Sequence, residues 1–150
     1  MSLVGLVAVV LAAAGCGAVK HITSGNPAQG KAVFVDKCGS CHTLANAKTQ
    51  GTIGPNLDYA FQADKQQGFH VSTLVDVVRG QIAYPDDRPG TVCWKTLRTR
   101  LGKGLSCTAT QGMPANLVHG QEARNVSVYV GMCAADSSCD VKNETVEVPS

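Results

Sequence analysis

Apolar and polar positions alternate with different periods along this chain, and the periods divide it into blocks. From Leu3 to Ala14 nearly every residue is apolar, a run too short to span a bilayer as a stable helix. It reads as the apolar region of an export signal. Asn26-Pro27 offers a helix cap followed by proline at the first helical position. Gly30, Ala32, Val33, Phe34 and Cys38 then recur at helical spacing, with Lys31 and Lys37 outside. Gly54-Pro55-Asn56-Leu57 is a turn with one apolar residue to bury. A short helix is predicted over about 58–67. A mostly buried one follows over 72–79, with Leu74, Val75, Val77 and Val78 and a stop at Gly80. Ala123, Val126, Tyr129, Val130 and Cys133 form one stripe of a last helix over 121–134. No strand-like alternation of any length and no internal repeat is visible, so the expected fold class is all-α.

Composition adds a compartment and a puzzle. The 150 residues amount to one domain plus an N-terminal segment. A net charge of +2 gives no reason to expect a nucleic-acid partner. Seven cysteines in so short a chain indicate an oxidising compartment. Only 5% of residues are aromatic, which leaves a thin core unless something else supplies apolar mass. The apolar run ends at Ala13-Ala14-Gly15-Cys16, which resembles a bacterial lipoprotein signal with Cys16 as the lipidated mature N-terminus. No Lys or Arg precedes the run, and cleavage elsewhere would leave Cys16 a spare thiol. The expected division is a signal over 1–15, a lipidated cysteine and tether over 16–25, a folded domain over 26–135 and a polar, frayed tail over 136–150. His21 reads as a solvated residue of the tether.

The chemistry centres on Cys38-Gly39-Ser40-Cys41-His42. C-x-x-C-H is the attachment motif of a c-type haem: two thiols reach the two vinyl groups of one porphyrin, and the histidine lies beneath the iron. A disulfide, a redox pair or half of a zinc site would also use C-x-x-C. A zinc site, however, needs a second tightly spaced ligand pair, and the sequence has none. Methionine is a common partner to histidine in redox carriers, and Met113 stands in Gln111-Gly112-Met113-Pro114-Ala115. His70, His119 and Met132 remain rivals for the sixth position.

These residues carry a family resemblance over about 26–135. The chain resembles a class I, monohaem cytochrome c of the lipoprotein-anchored bacterial kind. The matching stretches are Gly30-Lys31-x-x-Phe34, the C-x-x-C-H motif, Gly54-Pro55-Asn56-Leu57, Val78-Arg79-Gly80-Gln81-Ile82-Ala83-Tyr84-Pro85, Met113-Pro114-Ala115-Asn116-Leu117, and a last helix with Val126 and Tyr129. The resemblance implies a cytochrome c fold around one covalent haem c. Its first and last helices would cross closely at Gly30, with Phe34, Val126 and Tyr129 around the crossing. It implies that the Pro55 carbonyl accepts the Nδ1–H of His42, that Leu57 lies against the haem, and that His42 and Met113 ligate the iron.

The chain departs from the compact pattern in an insertion over 86–111, which carries Cys93, Cys107, Trp94 and the cations Arg88, Lys95, Arg98, Arg100 and Lys103. With Cys16, Cys38 and Cys41 set aside, Cys93, Cys107, Cys133 and Cys139 allow three pairings. Sequence does not choose among them, although Cys93–Cys107 and Cys133–Cys139 close the shortest loops. Asn125 and Asn143 begin glycosylation triplets that read as chance.

With both axial positions filled, no iron site is open to a small-molecule substrate. The expected function is single-electron transfer, not enzyme catalysis. The resemblance implies a carrier between a quinol-oxidising complex and a terminal oxidase or reductase, held on the outer face of the bacterial cytoplasmic membrane by its lipid. The alternative is a haem subunit that accepts electrons from one dedicated dehydrogenase or reductase complex. The four cations of 95–103 would form a basic docking rim or merely solvate the insert.

Overall fold

The structure, a computed structural model, describes residues 21–85, 90–94, 106–110 and 112–149. The expectations for 1–20, including Cys16, and for the cations at 88 and 95–103 lie outside the described residues.

Helix α1 (Pro27–Lys37) begins as its sequence predicts: the Asn26 side chain accepts from the Gln29 backbone N–H at 3.0 Å, and proline takes the first turn. Helix α5 (Gly120–Cys133) is buried along most of its length and crosses α1. The crossing is permitted by one missing side chain. A Cβ on Gly30 would lie 2.1 Å from the Asn125 carbonyl oxygen and 2.8 Å from the Tyr129 Cβ. Phe34 and Tyr129 then meet edge to face, ring centroids 5.9 Å apart, with Val126 buried beside them. Asn125, 3% exposed, ties the crossing with polar bonds. Its Oδ1 accepts from the Asn26 N–H at 2.9 Å and from Gln121 at 2.8 Å, and its amide donates to Gln29 at 2.9 Å. A side chain this enclosed is no glycan acceptor.

Helix α4 (Val71–Ala83) packs on α5 and buries Leu74, Val75, Val78 and Ile82. It runs through Gly80, which the sequence offered as a stop. Its end comes at Tyr84, just before Pro85, a residue that disfavours continued helix in its predecessor. The short helix expected over 58–67 is two, α2 (Leu57–Ala60) and α3 (Gln62–Gln66), interrupted where Phe61 leaves helical geometry.

Among the described residues, three two-stranded antiparallel sheets accompany the helices. Strands β2 (Thr43–Leu44) and β3 (Thr49–Gln50) flank a 3₁₀ turn at Ala45–Ala47. Strands β4 (Gly90–Trp94) and β5 (Ser106–Thr110) form a hairpin within the insertion. Its Thr and Val favour strands, but small polar residues and cysteine interleave them, so no apolar-polar alternation marks it beforehand. Cys93 and Cys107 are direct register partners in this hairpin. Opposed residues in such a ladder have Cα atoms about 4.5–5.5 Å apart, within the range a disulfide spans. Non-reducing peptide mapping should therefore recover Cys93 linked to Cys107; a link from either one to another cysteine would contradict that pairing. Cys133 and Cys139 are bridged, closing the turn after α5.

The third sheet joins the two ends of the domain. Strand β1 (Ser24–Gly25) pairs with β6 (Val146–Glu147), and Val148 N–H donates to the Thr23 carbonyl at 2.8 Å. Ile22, 4% exposed, packs with Val75 and Val128. The tail is thus not frayed up to Pro149, and the tether is docked from His21 onward. Apolar Ile22, Val146 and Val148 anchor segments whose polar majority suggested solvent.

Candidate haem-attachment site

The C-terminal end of α1 delivers the Cys38–His42 motif. The N–H groups of Cys38 and Gly39 both bond the Phe34 carbonyl, and those of Cys41 and His42 bond the Cys38 carbonyl at 3.0 and 2.9 Å. The motif is therefore a closed turn continuous with the helix. Its two thiols stand unbridged, Cys38 buried and Cys41 half-buried. Burial, and secondarily the neighbouring Cys41, pushes the Cys38 thiol up to about 11. At neutral pH it is a protonated thiol, unlike the low-pKa thiolates of redox pairs.

The β2–β3 hairpin folds the chain back beneath the motif. Lys48 turns it with a left-handed backbone (φ 56°), Thr49 Oγ1 accepts from the Leu44 N–H, and Thr43 Oγ1 donates to the Gly51 carbonyl at 2.8 Å. Asp58, at the start of α2, accepts the Ala45 N–H with its carboxylate at 3.0 and 3.1 Å. Two glycines make the return fit. A Cβ on Gly51 would lie 2.4 Å from the Cys41 carbonyl carbon, and one on Gly54 would lie 2.5 Å from His42 Cε1. The Gly54 N–H then bonds the Cys41 carbonyl at 2.8 Å.

This places the Pro55 carbonyl 2.9 Å from His42 Nδ1. A carbonyl only accepts, so Nδ1 carries the proton and Nε2 keeps its lone pair. The bond fixes tautomer and ring orientation, as second partners of metal-bound histidines do. Gly54→Ala should push the ring off this bond. Weaker ligation by roughly ten- to a hundredfold would move the acid transition of a histidine-ligated iron up by about one to two pH units. A pH titration of the visible spectrum reads that shift directly.

Met113 and Leu57 are half-buried and pack against one core cluster that also contains Cys38, Leu44, Val78 and Ile82; Phe61 joins them there. The Met113 loop is tied down where the Asn116 N–H bonds the Ile82 carbonyl at 2.8 Å. The rivals for a second ligand differ in burial, and Met132 packs against the same cluster as Met113. His70 and His119 are exposed N-cap residues of α4 and α5, and Met132 lies within α5 between the two core clusters. Among the described residues, no three His, Cys, Asp or Glu side chains are gathered closely enough to hold a metal ion by themselves. Cys38, Cys41 and His42 thus do not converge as a zinc site requires.

Large apolar side chains stand partly exposed beside these elements in sequence: Ile53 at 48%, Tyr59 at 70% and Leu117 at 41%. Flanking the turn and the methionine loop, they offer apolar surface that a planar macrocycle could cover. The residues present fit a covalently held porphyrin: two free thiols, one oriented imidazole with an open nitrogen, one thioether, and an apolar lining.

No protein-family model matches the chain, and no curated protein or solved structure matches it significantly. What the site can do follows from its own residues.

Sequence reasoning missed the parts of this site that have no side chain. Gly54 read as part of a turn and Gly51 drew no reading, and only the folded backbone reveals what a methyl group would strike. Asp58 was read only as the start of a short helix, not as the acceptor of the Ala45 N–H.

Proposed function

We propose that the chain binds one haem covalently through Cys38 and Cys41, with His42 and Met113 as axial ligands, and acts as a single-electron carrier. The observation that carries the reading is the His42–Pro55 bond beside two unbridged thiols. It leaves one imidazole nitrogen free at the end of a C-x-x-C-H turn. When bound, haem supplies a one-electron iron couple whose potential depends on its axial ligands and on burial.

The chain's own residues divide the remaining work. Cys38 and Cys41 would hold the macrocycle by thioether bonds. Pro55 holds His42 in its ligating tautomer. Leu57, Phe61 and Met113 exclude water from one flank, and Met113, a weak donor, favours the reduced state. With His42 and Met113 both held to the iron, a small substrate would have no iron site to enter, and exchange of an electron with another redox protein would remain.

The partners this reading implies are a quinol-oxidising complex, a terminal oxidase or reductase, or a dehydrogenase. Cys16 would hold the domain at the outer face of the membrane through a lipid. The reading is supported by the C-x-x-C-H spacing, the tight α1–α5 crossing at Gly30, and the shared packing of Met113 and Cys38. The test is a visible spectrum, oxidised and reduced, of protein matured with a haem-attachment system. A low-spin haem c spectrum with the weak far-red sulfur-to-iron band is expected. Colourless protein from cells that mature other c-type haems would overturn it.

A further inference from the structure

We infer that one particular face of the domain, formed by the β1–β6 clasp, the first turn of α4 and Phe69, lies against the lipid bilayer. The inference rests on the proposed lipidation of Cys16 and adds to it a defined orientation.

The first observation is a bound set by chain length alone. Cys16 precedes His21 by five residues, and fully extended backbone spans at most about 3.5 Å per residue, so the leash reaches no more than about 18 Å. The second is that the leash ends on a fixed point. The Ile22 side chain is buried against Val75 and Val128, its N–H donates to Asp76 Oδ1 at 3.1 Å, and His21 Nδ1 contacts the other oxygen of the same carboxylate. Gly25 sits so close to α5 that a Cβ there would be 2.8 Å from a Val128 methyl. The chain therefore emerges from a rigid corner.

The chain just before α4 carries one exposed aromatic ring. Pro149 accepts from the Ser72 N–H at 3.2 Å, which seats the end of the tail on the first turn of α4. Just before that turn, Gly68 (φ 81°) reverses the chain and leaves Phe69 49% exposed. A half-exposed ring beside a short lipid leash suits the headgroup boundary, where aromatic side chains bury their apolar body.

The opposite end of α4 carries the proposed redox site. Val71 and Val75 belong to the clasp's cluster, whereas Val78 and Ile82 share a cluster with Cys38 and Met113. Thirteen helical residues separate the two ends by about 20 Å, more than the leash spans. The clasp is thus held at the membrane while the methionine loop stays turned away from it, open to soluble partners.

Hydrogen exchange on the full chain tests this, using vesicles of equal parts phosphatidylethanolamine and phosphatidylglycerol. The soluble Cys16→Ser form serves as reference. The amides of 68–72 and 146–148 should exchange at least about threefold more slowly on vesicles, with those of 38–57 unchanged. Phe69→Asp, at an exposed position, should return 68–72 and 146–148 towards the soluble rate without changing the melting temperature of the soluble form. Protection centred on 38–57 or 112–118, protection by a second copy on the clasp without vesicles, or no protection despite a diacylglyceryl mass on Cys16 would each overturn the orientation while leaving the anchor intact. A Cys16 without lipid would overturn both, and the mass spectrum separates these cases.

Discussion

Gly30→Val should leave little or no folded protein. Removing glycine from a helix interior ordinarily gains stability, up to about 1 kcal/mol for Ala and less for a β-branched residue. Here that gain is overwhelmed. The first added carbon falls 2.1 Å from the Asn125 carbonyl oxygen, and the obstacle is backbone of a buried helix, which cannot rotate away. The two helices must separate, opening the Phe34–Tyr129 contact and the bonds between Asn125 and residues Asn26 and Gln29. Overpacking alone typically costs about 1–3 kcal/mol, and unpaired buried amides add about 1–3 kcal/mol for each group left unsatisfied. A domain of this size has only about 5–15 kcal/mol in total. Thermal melts by far-ultraviolet circular dichroism check the outcome, and Gly80→Ala is the control. Gly80 is also helical, but a Cβ there meets nothing within 4 Å, so the same class of change should be neutral or stabilising. Equal effects at both positions would mean that α1 and α5 do not cross at Gly30.

Met113→Ala should lower the midpoint potential by a few tenths of a volt, given that axial ligands tune haem iron over about 0.8 V. The far-red band should disappear, and the iron should bind added cyanide or imidazole readily. The fold should survive, because Met113 is half-buried at the edge of its cluster. An unchanged spectrum would transfer the sixth position to His119 or His70. Both are exposed N-cap residues of helices.

How far the sequence revealed this molecule depends on what kind of information each part needs. The helices α1, α4 and α5 were legible because one face of each is buried, and burial prints a 3.6-residue period on the residue types. The start of α1 was legible because capping is local chemistry, and Asn26 bonds a group three residues away. The end of α4 was misplaced because Gly80 weakens a helix only modestly, while packing by Ile82 carries it onward. The β1–β6 clasp was invisible because its partners lie more than a hundred residues apart and contribute two residues each. The β4–β5 hairpin was missed for a different reason: its register matters more than its composition.

At the site, the thiols and His42 could be named from motif spacing and Met113 from its loop, whereas Pro55 came only from the family resemblance. The room that Gly51 and Gly54 make could not be named, since an absent side chain acts only through what surrounds it. Asn125 shows the converse. Its triplet suggested surface chemistry of no consequence, yet its amide is bonded on every side at the helix crossing.

The central claim is covalent haem on Cys38 and Cys41, and the mass of the fully denatured chain tests it most directly. Protein matured with a haem-attachment system, unfolded and passed through a denaturing column, should keep its colour and weigh one haem more than its polypeptide. Cys38→Ser or Cys41→Ser should not yield the normal two-thioether product. A polypeptide that sheds its colour on denaturation, or the same two-thioether spectrum from either variant, would contradict the account.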